Sequence, residues 1–294
     1  MNAVAPELIA DYACHIGENP LWHPTERCLY WCDIPTGRIF RYDPATGQHG
    51  QIYAGRPVGG FTFQSEGGLL LFMDRGGIAL WRDGVVTELV AEIPSERDSR
   101  FNDVIADPAG RVFCGTMSTP NRKGRLYRLD VDGSLHSMLD GIGCSNGMAF
   151  SQDRKSFYFT DSFAHEIYCF DYDEVDGSIS NRRVFARFTQ ADGFPDGATL
   201  DSKGHLWSAL WDGGCVVRMV PDGTVSERFR VPVPKTSSLT FGGANFDTIY
   251  ITTAGGNEKE LDGPNAGALF RLATQYKGLP EFFSRVAGPR IVLA

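Results

Sequence analysis

The 294-residue chain contains no CxxC pair, no HExxH motif and no apolar run long enough to span a membrane. Its cysteines are odd in number and scattered, at Cys14, Cys28, Cys32, Cys114, Cys144, Cys169 and Cys215. The nearest approach, Cys28 and Cys32, reads as two positions of one strand rather than a zinc knuckle. Basic charge is scarce as well. Against 36 Asp and Glu stand 28 Lys and Arg, for a formal net charge of -8. A general phosphate-backbone binder carries the opposite excess, so nucleic acid is not an expected partner. The opening MNAVAPELIA lacks a basic stretch followed by an apolar one, so the expectation is no signal peptide, no membrane association and a cytoplasmic location. Helical periodicity is missing too, and the polar residues 94–100 read as a loop.

Glycine is plentiful, at 34 residues, and aromatics reach 12%, a mixture that favours strands and turns. These fall into a repeat. LYWCDIPTGRIFRYDPATG from Leu29, LLLFMDRGGIALWRDG from Leu69 and RVFCGTMSTPNRKGRLYRLDVDG from Arg111 each read as strand, polar turn, strand and closing Gly. FYFTDSFAHEIYCFDYDEVDG from Phe157, HLWSALWDGGCVVRMVPDG from His205 and TIYITTAGGNEKELDGPNAGALFRL from Thr248 continue it, the sixth with a longer insertion. The equivalent positions Tyr30, Phe72, Phe113, Tyr158, Trp207 and Tyr250 recur at about 41 to 49 residues, the period of propeller blades. A blade cannot cover both of its faces alone, whereas six stacked radially can. The expectation is an all-β, six-bladed β-propeller, one domain over residues 1–294, with residues 7–13 completing the last blade. An evenly spaced β-sandwich is the alternative that the in-register repeat disfavours.

About 11 or 12 residues before each marker lie Glu18, Gly60, Asn102, Asn146, Asp196 and Ser238, each ahead of an apolar stretch. In a propeller these positions open the inner strands and ring the central channel. Two carboxylates converging there repel one another and are costly to bury unpaired. One divalent cation neutralises both, and amide oxygens add neutral donors, a set suited to Ca²⁺, Mg²⁺ or Mn²⁺. Turn chemistry is the competing explanation, strong for Asn146-Gly147 and Asp196-Gly197 and weak for Glu18. On residues alone, Arg100 reads as a surface loop residue and Asp103 as a turn cap. Gly143-Cys144-Ser145-Asn146-Gly147 matches the nucleophile-elbow pattern, but MAFSQDRKSFYFTD continues as strand and hairpin where a helix is required. Asp171, Asp173, Asp176 and Gly177 resemble a calcium loop with spacing off by one and read better as a solvated hairpin turn.

GENPLW at residues 17–22, RFND at 100–103, GTM at 115–117, SNGMAFS at 145–151, ISNRRVF at 179–185, PDG at 195–197 and FGG at 241–243 occur in that order. This set resembles the gluconolactonase/regucalcin family, also called the senescence marker protein family. The resemblance implies a six-bladed propeller with a metal site in the central channel. Its ligands would match Glu18, Asn146 and Asp196, and its substrate-binding residues Arg100 and Asn102. The implied cofactor is one divalent metal ion, Ca, Zn, Mn, Mg or Fe, with Asn102 joining it directly or through water. The implied activity is hydrolysis of an aldonolactone such as gluconolactone by metal-activated water attack on the ester carbonyl, with Asp196, or a hydroxide on the metal, as base. The partner is then a small-molecule lactone. After GTM the chain reads Ser118-Thr119-Pro120, where relatives of regucalcin carry an acidic residue that helps to bind sugar. Other readings are a non-enzymatic metal-binding or regulatory propeller of the regucalcin type, and a metal-dependent esterase for a non-sugar lactone or an organophosphate.

Overall fold

The computed structural model describes residues 5–287 and 292–293. Six antiparallel sheets follow one another along the chain, each with its first strand innermost. The inner strands are Gly17–His23, Val58–Phe63, Phe101–Ala106, Ser145–Phe150, Phe194–Leu200 and Thr236–Gly242, in blades 1 to 6. Blade 6 takes its outermost strand from the other end of the chain: Glu7–Asp11 pairs antiparallel with Ala268–Ala273. The expected ring closure is thus present, and the fold is a six-bladed propeller. Blade 3 carries in addition the short parallel strand Val292–Leu293. Among the described residues helix is confined to the single turns Pro94–Glu96, Ser162–Ala164 and Lys259–Asp262. No helix among the described residues is long and apolar enough to cross a membrane.

Period-two patterning explains why blades stack. In LLLFM of blade 2, Leu69 and Leu71 pack with Tyr30 and Ile39 of blade 1, while Leu70 and Phe72 pack with Phe101 and Val112 of blade 3. Similar apolar clusters fill the remaining junctions. Between blades 6 and 1, the Trp22 and Tyr250 rings stack at 5.7 Å. Every cysteine is buried and unpaired. Cys28 and Cys32 lie on one strand, Cys28–Asp33, in the junction between blades 1 and 2, in keeping with the sequence reading.

The inner strands share a further feature. Each breaks register with its neighbour near its start, between Glu18 and Leu21, Val58 and Gly60, Phe101 and Val104, Asn146 and Met148, Pro195 and Ala198, and Thr236 and Ser238. A bulge re-aims the side chain beside it, and here it sits at the ring of positions that the repeat singles out. Asn146-Gly147 and Asp196-Gly197 are therefore not hairpin turns; both lie inside strands.

The far end of the channel is crossed by a strap, residues 278–286. It bridges Asp201 of blade 5 and Gln64 of blade 2, then donates from Arg285 N to Gly110 O at 2.8 Å.

Candidate functional site

Where the inner strands begin, a cavity of about 250 Å³ opens, with Glu18, Arg100, Asn102, Asn146, Ser162 and Asp196 in its lining. All five residues expected of the site are among them. Of the other two ring positions, Ser238 lines the channel deeper down. Blade 2 presents Gly60 at its ring position, where a Cβ would stand 2.8 Å from Asn19 Oδ1; at the preceding Gly59 a Cβ would stand 2.0 Å from Phe101 O, so glycine lets neighbouring inner strands close up there. At Gly197 a Cβ would fall 2.0 Å from Ser238 Oγ, which ties the Asp-Gly pair to strand approach.

The polar side chains form a network. Arg100 Nη1 donates to Phe101 O at 2.9 Å and to Asn102 Oδ1. Asn102 Nδ2 donates to Ser145 O at 2.8 Å and to Asn146 Oδ1 at 2.9 Å. Asn146 Nδ2 donates to Ser162 Oγ at 2.9 Å. Glu18 Oε2 accepts from Asn19 N at 2.9 Å; Asn19 takes a left-handed φ of 50° at the bulge, a conformation asparagine tolerates. Asp196 Oδ1 is buried with no hydrogen-bond partner.

The electrostatics follow from crowding. Burial, and then the nearby Asp103 charge, push the Glu18 carboxyl up to about 8, against the Asn19 amide and the Arg100 guanidinium. Asp196 is pushed well above the usual carboxylate range by burial and by the charges of Glu18 and Asp103. Burial pulls the Arg100 guanidinium down, opposed by its anionic neighbours. Two buried carboxylates, one with an orphaned oxygen, beside two amide oxygens make a hard-donor set that fits a divalent cation. It is a mixed set: among the described residues no group of three or more His, Cys, Asp or Glu side chains could hold a metal.

The rest of the lining is apolar, made by Ile16, Met117, Cys144, Phe163, Phe194 and Trp211. Sequence reasoning missed these and Ser162, because they stand at or beyond strand ends: Ile16 and Cys144 precede inner strands, Met117 and Ser162 follow second strands, and Phe194 and Trp211 are terminal strand residues. Ser118, Thr119 and Pro120 do not line the cavity. In their loop, Thr119 Oγ1 and Arg122 Nε bond Asp98 at 3.2 and 3.1 Å. Asp103 is a strand residue rather than a turn cap; its carboxyl is pushed up to about 7 by burial. Ser145 is buried within a strand, so no nucleophile elbow forms. Asp173–Gly177 is the turn of an exposed hairpin, closed by Gly177 N donating to Asp173 O.

Below the ring, Asn19, Asp103, Ser238, Thr240 and Glu281 line a space of about 30 Å³. Glu281 comes from the strap; Thr199 Oγ1 donates to it at 3.4 Å, and burial pushes its carboxyl up to about 7.

Comparison with known proteins converges on one group. Pentonolactonase XacC of Haloferax volcanii is 48% identical over 285 residues, covering 95% of this chain and 97% of its own. Regucalcin of Bos taurus is 34% identical over 295 residues, covering 96% and 99%. A regucalcin from Agrobacterium tumefaciens, described as a calcium-binding protein, superposes with a TM-score of 0.86 at 25% identity, over 96% of this chain and 98% of that one. The model of the SMP-30/Gluconolactonase/LRE-like region matches residues 16–255, and the chain belongs to that family.

Proposed function

We propose that the protein is a lactonase that opens a sugar-type lactone, an aldonolactone, to the free acid, with Glu18, Asn146 and Asp196 holding one divalent cation. The observation that carries the metal assignment is the buried, unpartnered Asp196 Oδ1 beside Glu18 in a cavity large enough for a small ring. Support for the reaction comes from the 48% identity to a pentonolactonase across nearly the whole of both chains.

The chemistry required is addition of water to an ester carbonyl and loss of the ring oxygen. A cation bound at this site supplies Lewis-acid polarisation of the carbonyl. Asp196, made more basic by burial, takes a proton from the attacking water as the new C–O bond forms. The tetrahedral oxyanion collapses, the ring C–O bond breaks, and the proton passes to the departing ring oxygen, giving the hydroxy acid. Arg100 and Asn102 hold the ring hydroxyls; Arg100 has donors to spare beyond those given to Phe101 and Asn102.

The apolar wall of Met117, Cys144, Phe163, Phe194 and Trp211 favours a second substrate reading, a lactone or ester with fewer hydroxyls. One experiment tests both: hydrolysis of five- and six-membered aldonolactones and of alkyl lactones, after chelation and after re-addition of Ca²⁺, Zn²⁺, Mn²⁺ or Mg²⁺. Metal-restored turnover of aldonolactones is expected. Full activity under exhaustive chelation overturns the metal assignment, and a strict preference for alkyl lactones overturns the sugar assignment.

A further inference from the structure

Only one end of an asparagine amide can meet a cation. Oδ1 accepts, whereas an amide turned over presents two N–H groups. At Asn146 the orientation follows from a chain of hydrogen bonds with fixed polarity. Arg100 has donors only, and it meets Asn102 on Oδ1. The main-chain oxygen of Ser145 accepts only, and it meets Asn102 on Nδ2 at 2.8 Å. With both ends of Asn102 assigned, its Nδ2 is also the donor to Asn146, so the Asn146 atom 2.9 Å away is Oδ1. Asn146 Nδ2 is left facing Ser162 Oγ at 2.9 Å and the Cys144 sulfur, a weak acceptor, at 3.5 Å.

Ser162 is itself held in place. It opens the single turn Ser162–Ala164 directly after Asp161. The Asp161 carboxylate accepts from Gly143 N and Cys144 N at 2.9 and 3.0 Å, and Ser162 N donates to Cys144 O at 3.1 Å. The hydroxyl is buried at the cavity wall.

We propose that Ser162 is a positioning residue for the cation site: its hydroxyl oxygen anchors the Asn146 amide and keeps Oδ1 available as the metal ligand. The inference rests on the metal assignment above. Outer partners of metal ligands commonly set affinity by about 10- to 100-fold. Without the hydroxyl, the Asn146 N–H₂ group has only the Cys144 sulfur to meet; Asn102 still sets which end of the amide is which, but the anchor that fixes the tilt of Oδ1 toward the cation is lost.

Calorimetric titration of the metal-free protein with calcium, zinc and manganese chlorides, with no substrate present, tests this on the wild type, Ser162→Ala and Ser162→Thr. The expected result is affinity weakened by about 10- to 100-fold in Ser162→Ala and within about threefold of wild type in Ser162→Thr, with the melting temperature of the chelated proteins lowered by no more than about 5 °C. Ser162→Ala binding as tightly as wild type, or Ser162→Thr as weakly as Ser162→Ala, overturns the role of Ser162 alone. A wild type that binds none of the three ions overturns the metal assignment, and this inference with it.

Discussion

The two ends of the central channel use the same side chain for different ends. Above, Glu18 and Asp196 meet beside Arg100, Asn102 and Asn146 at the floor of an open cavity of about 250 Å³. Below, Asp103 and Glu281 line a space of about 30 Å³ under a strap that bridges blades 5 and 2. That space is large enough for about one water. Burial pushes carboxyls up at both ends, to about 8 at Glu18 and about 7 at Asp103 and Glu281. A perturbed carboxyl is therefore not by itself a site. What separates the upper pair is access, an orphaned oxygen and amide donors converging from other blades.

The largest effect expected from breaking this contrast is at Asp196. Asp196→Asn, or Glu18→Gln, should lower turnover by about 10³-fold or more and abolish metal binding, with the circular dichroism spectrum unchanged. Arg100→Lys comes next. It keeps the charge and loses the planar fork, so kcat/KM for an aldonolactone should fall by about 10- to 100-fold, mainly through KM.

The pH dependence sharpens the comparison further. A carboxyl raised in the folded state is most stabilising below its unfolded value, and that stability is lost as pH rises towards the folded value. For Glu18 the window runs from 4.5 to about 8. The melting temperature of the chelated protein should fall across it, and a saturating divalent cation, which favours the ionised pair, should flatten the fall. The smallest effect belongs to the lower end. Glu281→Gln should leave turnover within about twofold and raise the melting temperature at pH 8 by about 2 °C, with no gain at pH 4. A thousandfold loss of activity there would erase the distinction between the two ends.

Much of this architecture is legible in the sequence, because spacing and alternation are repeated six times. Tyr30 to Tyr250 mark the blades, and the offset from them reaches Glu18, Asn102, Asn146 and Asp196. Asn-Gly and Asp-Gly mislead, since the same pairs serve hairpin turns and the strand bulges seen here. Arg100 is invisible to composition: it ends a polar stretch, yet its guanidinium turns into the cavity and bonds Asn102. Ser162, Phe163 and Trp211 lie where strand periodicity stops. The strap has no repeat partner, so nothing in the period announces that Glu281 will reach the channel.

The most direct test is a crystal grown with a divalent cation that scatters anomalously, such as Mn²⁺ or Zn²⁺. A single anomalous peak on the channel axis, bounded by the carboxylates of Glu18 and Asp196 and by Asn146 Oδ1, is the predicted result. A peak elsewhere, or none at a saturating concentration with Glu18, Asn146 and Asp196 turned away from one another, would contradict it.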